Sequence, residues 1–302
     1  PSSFTSHNNN FNLQGLQINS QAAQPVTVDG FSMAIRNYEN FLKDSAYAIR
    51  FDSVHLKDNR ISLSNFNYQE FTTGKTNVLA VPRFELYGLS WDDLVFHRRL
   101  TADRATLYHP QIFFDTRSIH NKKEDNIFTT LAGIGRMVQL TRLDVAQGQV
   151  DLLLHDNARL KLQGARFSVK GNELTASTHT SSLLKAVDNI HFTSGTYQHR
   201  DTKAALLDVD YNSESGAMRA TSLQLKNNAL DMLAKNVRIS AWHAGNTTSP
   251  VTIEGLKWDN ATISWAAGEN TGKAAGPGIM LTHLQGKNTS LKARQKNTLI
   301  AA

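Results

Sequence analysis

Residues Asp52–Leu63 read DSVHLKDNRISL and decide the fold class of this chain. Apolar residues alternate with polar ones on each side of Asp58-Asn59, a pair with strong turn chemistry. Alternation bounded by an Asp or Asn turn is typical of a β-hairpin. The stretch therefore predicts two antiparallel strands with one apolar face and one polar face.

The same strand–turn–strand unit recurs along the chain. Further copies are Leu100–Phe114, Thr141–Leu154 with a turn at Gln147-Gly148, Asp188–Asp201 with a turn at Ser194-Gly195, and Glu254–Trp265 with a turn at Asp259-Asn260. Single strands lie between the copies, as where Leu207 and Val209 alternate with Asp208 and Asp210. The copies start at irregular intervals, which argues against a strict solenoid. We predict a mainly β protein with a long, curved, mostly antiparallel sheet of repeated hairpins and a few short helices.

The predicted sheet has a loosely ordered start and several interruptions. The polar residues 1–15 predict a flexible N-terminal segment, and a strand is expected at Val26–Ile35. The predicted short helices are Tyr38–Ala48, Asn126–Val138 and Ser181–Val187. We expect residues 16–302 to form one continuous repeated-β domain, with a candidate joint at residues 115–125.

Composition and charge exclude several functions. The 302 residues include no cysteine, which excludes a disulfide framework, a thiolate metal site and a cysteine nucleophile. The net charge is +6, but the basic residues are dispersed, so no nucleic-acid partner is expected and a weak attraction to anionic lipid headgroups stays open. No apolar run is long enough to span a membrane. A start at Pro1 without a Met or signal peptide predicts an excised or processed segment.

Residues of catalytic type are frequent but do not form known catalytic motifs. His191 and His199 fall on successive arms of a predicted hairpin, and no third metal ligand accompanies them. Asp208 and Asp210 share a predicted strand face, where they suit the wet side of a sheet as well as a glycosidase pair. No GxSxG nucleophile elbow is present. We therefore predict no enzymatic activity, no metal and no cofactor.

Two stretches carry a resemblance to a known family. Leu86–Asp115 ends in a proline followed by an apolar run, and Phe128–Val169 contains a helical pattern, an L-x-V-x-x-G-x-V hairpin and a third strand. In both, the chain resembles the AsmA-like family of bacterial envelope proteins, which is similar in outline to bridge-like lipid-transfer proteins with a repeating β-groove. The family's usual N-terminal membrane helix has no counterpart in this sequence.

The resemblance implies a periplasmic segment of an envelope protein, tethered by a membrane helix outside this chain. It implies a non-enzymatic role: binding or conducting phospholipid or another acyl-chain ligand along an apolar groove, or supporting outer-membrane assembly with membrane proteins of the envelope. The residues expected on the groove face, from alternation, are Leu143, Val145, Val150, Leu152, Leu160, Leu162, Val209, Leu223, Leu225, Val237 and Ile239. A one-residue error in register would move them to the wet face.

Two alternatives stay open. A surface or adhesin module would bind polysaccharide or protein through a row of exposed Trp and Tyr side chains. A glycan hydrolase or lyase would need a cleft with convergent carboxylates or a Lys, Arg and His cluster.

Overall fold

The computed structural model describes residues 4–19, 21, 26–27, 30–42, 47–57, 59–70, 77–90, 93, 100–115, 138–154, 157–171, 187–243, 251–267, 279–295 and 298–301. Most of these residues lie in β-strands and almost none in helices, which confirms the predicted mainly β class. The chain separates into two compact units. Unit 1 comprises Pro1–Asp115, Lys122–Gly148 and Val169–Ser177, and unit 2 comprises Thr116–Asn121, Gln149–Ser168 and Thr178–Ala302.

Unit 1 comprises part of a large, mainly antiparallel sheet and one separate two-stranded sheet. Its strands are β1 (Phe4–Gln14), β2 (Gln17–Ile18), β3 (Val26–Thr27), β4 (Gly30–Leu42), β5 (Tyr47–Lys57), β6 (Arg60–Glu70), β7 (Asn77–Tyr87), β8 (Leu100–Tyr108), β9 (Gln111–Asp115) and the first part of β10 (Val138–Leu153). Strands β1, β4, β5, β6 and β7 follow one another as antiparallel neighbours. Strand β10 then runs parallel to β8.

Unit 2 combines an antiparallel meander with parallel pairs. Besides the end of β10, its strands are most of β11 (Arg159–Lys170), β12 (Val187–His199), β13 (Thr202–Asn212), β14 (Met218–Lys226), β15 (Leu230–Ile239), β16 (Ala241–His243), β17 (Val251–Glu254), β18 (Lys257–Trp258), β19 (Asn260–Ala267), β20 (Ile279–Thr282), β21 (Gln285–Gly286), β22 (Thr289–Gln295) and β23 (Thr298–Ala301). Strands β12 to β15 are consecutive antiparallel neighbours. Strands β18 and β19 lie antiparallel to β15 and parallel to β21 and β22.

One of the predicted hairpins is confirmed. Strands β5 and β6 are antiparallel, and Lys57 pairs with Arg60 across the turn in Asp52–Leu63. The other predicted hairpins are wrong. Leu100–Phe114 forms β8 and β9, which lie end to end along β7, and β18 and β19 lie end to end along β15 in the same way. Thr141–Leu154 and Asp188–Asp201 lie almost wholly within the single strands β10 and β12.

The turn residues of these stretches bend a strand instead of reversing it. Gln147 has a φ of 57° within β10, and His109 has a φ of 52° at the junction of β8 and β9. A single left-handed residue interrupts an extended strand and shifts its inward side by one position. Such a bend breaks the apolar alternation as a hairpin turn does, so the same sequence signal fits both.

In unit 2 the bends lie at one level across neighbouring strands and form what we call the bend row. Gly164, Asp208 and Asn236 have φ values of 63°, 50° and 53° in β11, β13 and β15. On β12, Thr193 Oγ1 donates to the carbonyl of Gln163 at 2.9 Å. A Cβ atom on Gly164 would lie 2.6 Å from that hydroxyl, so the close approach requires glycine there.

Strand β15 shows what the bend row does to burial. Met232 and Ala234 are buried before the bend and Val237 after it, while Lys235 and Asn236 are both exposed. Because two consecutive residues face outward, alternation resumes one position later, and residues on both sides of the bend remain buried. We call these buried and half-buried alternate positions the inner face, and the exposed alternate positions the outer face.

The predicted Tyr38–Ala48 helix is wrong, because this stretch ends β4 and begins β5. Leu42 pairs with Tyr47, and the ring of Tyr38 stacks on Phe51 with centroids 4.5 Å apart. Aromatic cross-strand pairs of this kind stabilise a sheet and override a helical spacing. The predicted Val26–Ile35 strand is divided between β3 and β4.

The predicted flexible N-terminal segment, residues 1–15, contains a strand. Phe4–Gln14 forms β1 and pairs with β4, since a polar strand still satisfies its backbone hydrogen bonds within a sheet. The predicted helices Asn126–Val138 and Ser181–Val187 lie outside the described residues except for Val138 and Val187, which begin strands. The candidate joint at 115–125 also lies outside them, except for Asp115.

Candidate functional site

The bend row divides the strands of unit 2 into two arms with different exposure. The closed arm consists of residues 165–168, 187–192, 209–212, 218–220 and 237–239. The open arm consists of residues 159–163, 194–199, 202–207, 222–226, 230–235, 260–267 and 289–295. Strands β11 to β15 contribute to both arms and can be compared position by position, whereas β19 and β22 belong to the open arm alone.

The inner face of the closed arm is a packed core. Phe192, Val209, Ala220 and Val237 are direct neighbours or near neighbours across β12 to β15, and all are buried. Val209 is 0% exposed and Val237 is 1% exposed. These side chains therefore stabilise the fold by burial and offer no surface to a ligand.

The inner face of the open arm is an apolar surface that is only partly covered. In register across β12, β13, β14, β15, β19 and β22 lie Tyr197, Ala204, Leu225, Met232, Ile263 and Leu291. Leu225 and Ile263 are half-buried, and Leu291 is 48% exposed. In the neighbouring row, Trp265 lies opposite Leu230 and is 44% exposed. The row is an uninterrupted apolar strip across six strands.

The residues predicted to line a groove divide between core and open surface. Leu143, Val145, Val150, Val209, Val237 and Ile239 are buried, whereas Leu152, Leu160, Leu162, Leu223 and Leu225 are half-buried. Leu143 and Val145 belong to unit 1, where they lie opposite Ala105 and Leu107. The buried group therefore consists of core positions, and only the half-buried group borders accessible surface.

Strict alternation misplaces one residue of the open arm and misses another. The alternation with Val209 puts Leu207 on the inner face, but Leu207 lies on the outer face and is 50% exposed. Its neighbour Leu206 takes the inner position and pairs with Leu223. The left-handed Asp208 causes the shift, and an Asp interrupting an apolar alternation is the signal that was available in the sequence.

His191 of β12 lies beside two exposed carboxylates of β13. His191 and His199 both lie in β12, so their predicted placement on two hairpin arms is wrong. His191 Nδ1 is 2.9 Å from Asp210 Oδ1, and its Nε2 is 4.0 Å from Asp208 Oδ1. Both carboxylates are well exposed, as is usual for a weak surface pair.

Three cations follow Asp210 in register on the next three strands of the outer face of unit 2. Arg219 pairs in register with Arg238, and Arg238 pairs with Lys257. Like charges directly opposite each other destabilise a strand pair by about a few tenths of a kcal/mol. These cations lie next to the exposed carboxylate of Asp210, which pairs in register with Arg219.

Unit 1 contains a buried carboxylate that is surrounded by arginine and tyrosine side chains. Glu85 is 1% exposed, accepts hydrogen bonds from Arg60 and the Tyr87 hydroxyl, and has Arg83 Nε at 3.8 Å. Burial opposes ionisation of Glu85, but the bonds from Tyr87 and Arg60 outweigh it and hold the pKa of Glu85 below its usual value. Burial and the bond to Glu85 raise the pKa of Tyr87. Arg60 and Arg104 both lie over the Tyr87 ring, at 5.1 and 4.7 Å from its centroid.

No metal cluster or membrane-spanning helix is found in the part of the chain that the structure describes. There, no group of three or more His, Asp or Glu side chains is placed to hold a metal ion. Within the same residues, no helix has the length and apolar character needed to cross a bilayer. Comparisons with protein-family models, curated proteins and solved structures find no match to this chain. The AsmA-like resemblance therefore stays a prediction from the sequence.

Proposed function

We propose that the chain is a non-enzymatic binding protein whose open arm holds the acyl chains of a lipid. The observation that carries the proposal is the strip of six neighbouring apolar positions on one face, of which all but the buried Met232 remain at least partly exposed. A contiguous exposed apolar surface is unusual for a soluble protein and marks an interaction site. An acyl chain needs only an apolar lining, because removal of its methylene groups from water supplies the binding free energy.

The bend row supports this function because it divides β11 to β15 into a buried part and a partly exposed part. The closed arm buries Val209 and Val237 and holds the sheet together. The open arm continues the same backbone ladder but presents Leu206, Leu223 and Leu225 at a partly open face. A location in the bacterial envelope and membership of the AsmA-like family are further parts of the proposal, and they rest on the sequence resemblance alone.

An adhesin-like role receives less support from the open arm. Sugar-binding sheets present rows of aromatic rings. Among the described tryptophans, Trp265 is exposed, whereas Trp258 is half-buried and donates from Nε1 to Thr289 at 2.8 Å. The apolar strip itself is aliphatic at Leu225 and Ile263.

Native mass spectrometry of protein extracted from cells tests the proposal. We expect phospholipid to copurify with the chain and to be reduced in Leu206→Gln, which places an amide on the inner face. Leu207→Gln is the matched control, since it makes the same change at the adjacent outer-face position. Lipid-free protein, or equal lipid in both variants, would contradict the proposal, and binding on a glycan array would favour the adhesin role.

A further inference from the structure

A second concave site lies on the outer face of the open arm. It has a volume of about 450 Å³ and is lined mainly by outer-face residues of β11, β12, β13 and β14. Ala205 lies between Thr196 and Gln224 in register. Because the Ala205 side chain is a single methyl group between two longer side chains, the centre of the site is hollow. We call this site the outer pocket.

The outer pocket is lined by four cations. Arg159 and Lys161 reach it from β11, Lys203 from β13 and Lys226 from β14. Lys203 lies directly opposite Lys226 in the sheet. Such a pairing is unfavourable in the empty protein because of repulsion, and an anion between the two ammonium groups would relieve it.

Neighbouring carboxylates balance only part of this charge. Asp151 accepts two hydrogen bonds from Arg159, at 2.8 and 2.6 Å, and lies 3.8 Å from Lys161. Asp231 lies 3.7 Å from Lys226. Within the described ranges, Lys203 has no ion-pair partner. Two carboxylates against four cations leave an excess of positive charge at the pocket.

The uncharged lining suggests the rest of the ligand. Thr196, Gln198 and Gln224 place hydroxyl and amide groups beside the cations, and these groups bond well to hydroxyl groups. The volume is in the range of small-molecule sites and exceeds that of a single phosphate ion. Lysine and arginine are the usual partners of phosphate oxygens.

We propose that the outer pocket binds a phosphate monoester carried on a hydroxyl-rich group, such as a sugar phosphate, either free or as the headgroup of a lipid. The four cations and the polar side chains of the site lie on the face opposite the apolar strip, and of the strip residues only Tyr197 and Ala204 also border the pocket. It therefore goes beyond acyl-chain binding and does not depend on it.

Isothermal titration calorimetry with the full chain tests the proposal, using glucose 6-phosphate as the probe and glucose as the uncharged control. We expect binding of glucose 6-phosphate and none of glucose. The double variant Lys203→Gln/Lys226→Gln should bind at least about tenfold more weakly, since it removes two charge-assisted contacts. Arg219→Gln/Arg238→Gln is the matched control, because it removes the same charge from the outer face outside the pocket, and it should bind within about twofold of the wild type.

A substitution that changes the volume of the pocket but not its charge tests the contribution of pocket shape to binding. Ala205→Gln fills the hollow centre without changing the charge, and we expect it to abolish binding of glucose 6-phosphate. Lys203→Gln alone should raise the thermal midpoint of the ligand-free protein while weakening binding, because it relieves the repulsion with Lys226. A loss of stability in that variant, with binding unchanged, would count against the site.

Vesicle sedimentation distinguishes the two sources of the ligand. Phosphatidylcholine vesicles with phosphatidylinositol 4-phosphate present the headgroup form, and phosphatidylcholine alone is the control. Binding to either the vesicles or the free sugar phosphate supports the proposal if Lys203→Gln/Lys226→Gln weakens that binding and Arg219→Gln/Arg238→Gln does not. It is overturned if neither probe binds, or if both double variants weaken binding equally, which would show general electrostatic attraction. Copurification of acyl lipid is measured separately, so the two proposals can fail independently.

Discussion

The closed arm and the open arm of unit 2 share strands, ladder and alternation, yet they differ in how far their apolar residues are covered. Val209 is completely buried in β13 on one side of Asp208, whereas Leu206 on the other side is half-buried. Alternation thus determines which way a side chain faces, but it does not determine whether that face is covered. The difference gives one arm a packed core and leaves the other with an apolar face that is partly exposed.

The largest expected effect comes from placing a charge in each arm. Val209→Asp buries an unpaired carboxylate and should lower the free energy of unfolding by about 4 kcal/mol or more. Leu225→Asp, at a half-buried position of the open arm, should lower it by about 1 kcal/mol. Urea denaturation of both variants measures the difference. Equal losses would show that the two arms do not differ.

The natural buried carboxylate of Glu85 in unit 1 can be compared with the unpaired carboxylate of Val209→Asp. Glu85 is accommodated because Arg60 and Tyr87 donate hydrogen bonds to it, and Glu85→Gln should cost about 2 kcal/mol at neutral pH. The pKa of Glu85 is lowered by folding, so its contribution is present above the unfolded-state pKa and is lost as the pH falls through the folded-state pKa. Unfolding curves of wild type and variant should therefore converge in acid. A constant difference at every pH would be inconsistent with an ionised Glu85.

The bend row itself can be tested at Asn236, whose φ is 53°. Asn236→Val should destabilise the protein by about 1–2 kcal/mol, because a β-branched residue is strained in the left-handed region. Asn236→Gly should change stability by only a few tenths of a kcal/mol. Lys235→Val is the control at the neighbouring exposed position, with no positive φ. Thermal unfolding distinguishes the three variants, and a stable Asn236→Val would argue against the bend.

The smallest expected effect concerns the outer face of the open arm. The hydrogen bond from Arg159 lowers the pKa of Asp151, so this pair adds stability above the unfolded-state pKa of Asp151 and loses it as the pH falls through the folded-state value. Because both groups are partly exposed, Asp151→Asn should cost less than about 1 kcal/mol at neutral pH. The loss should shrink in added salt, as followed by thermal unfolding. A loss that is independent of salt would indicate a role other than ion pairing.

The sequence predicts the β class and the local direction of many side chains, because both follow from short-range alternation. It identifies Leu223 and Leu225 correctly as inner-face residues of β14. The prediction of a hairpin turn fails at Gln147, which bends a single strand, and at Asp259, which joins two strands that lie end to end. A turn and a bend both require residues that tolerate an irregular backbone, so the same residue types occur in both.

The remaining features depend on contacts between distant strands. The exposure of Leu291 and the opposition of Lys203 and Lys226 arise from pairing across the sheet, and no local pattern of the chain contains that information. The buried state of Glu85 is similar, since its partner Arg60 comes from a neighbouring strand. The exposure of Leu291 and the opposition of Lys203 and Lys226 are features on which the proposed sites rest.

Site-specific photo-crosslinking tests the central claim most directly. A photoreactive amino acid at position 263 lies on the inner face of β19, and one at position 262 lies on the outer face of the same strand, away from the outer pocket. Irradiation of protein in cells, followed by mass spectrometry, should yield lipid adducts through their acyl chains at position 263 and not at position 262. Equal adducts at both positions, or adducts only at 262, would contradict an open arm that holds acyl chains on its inner face.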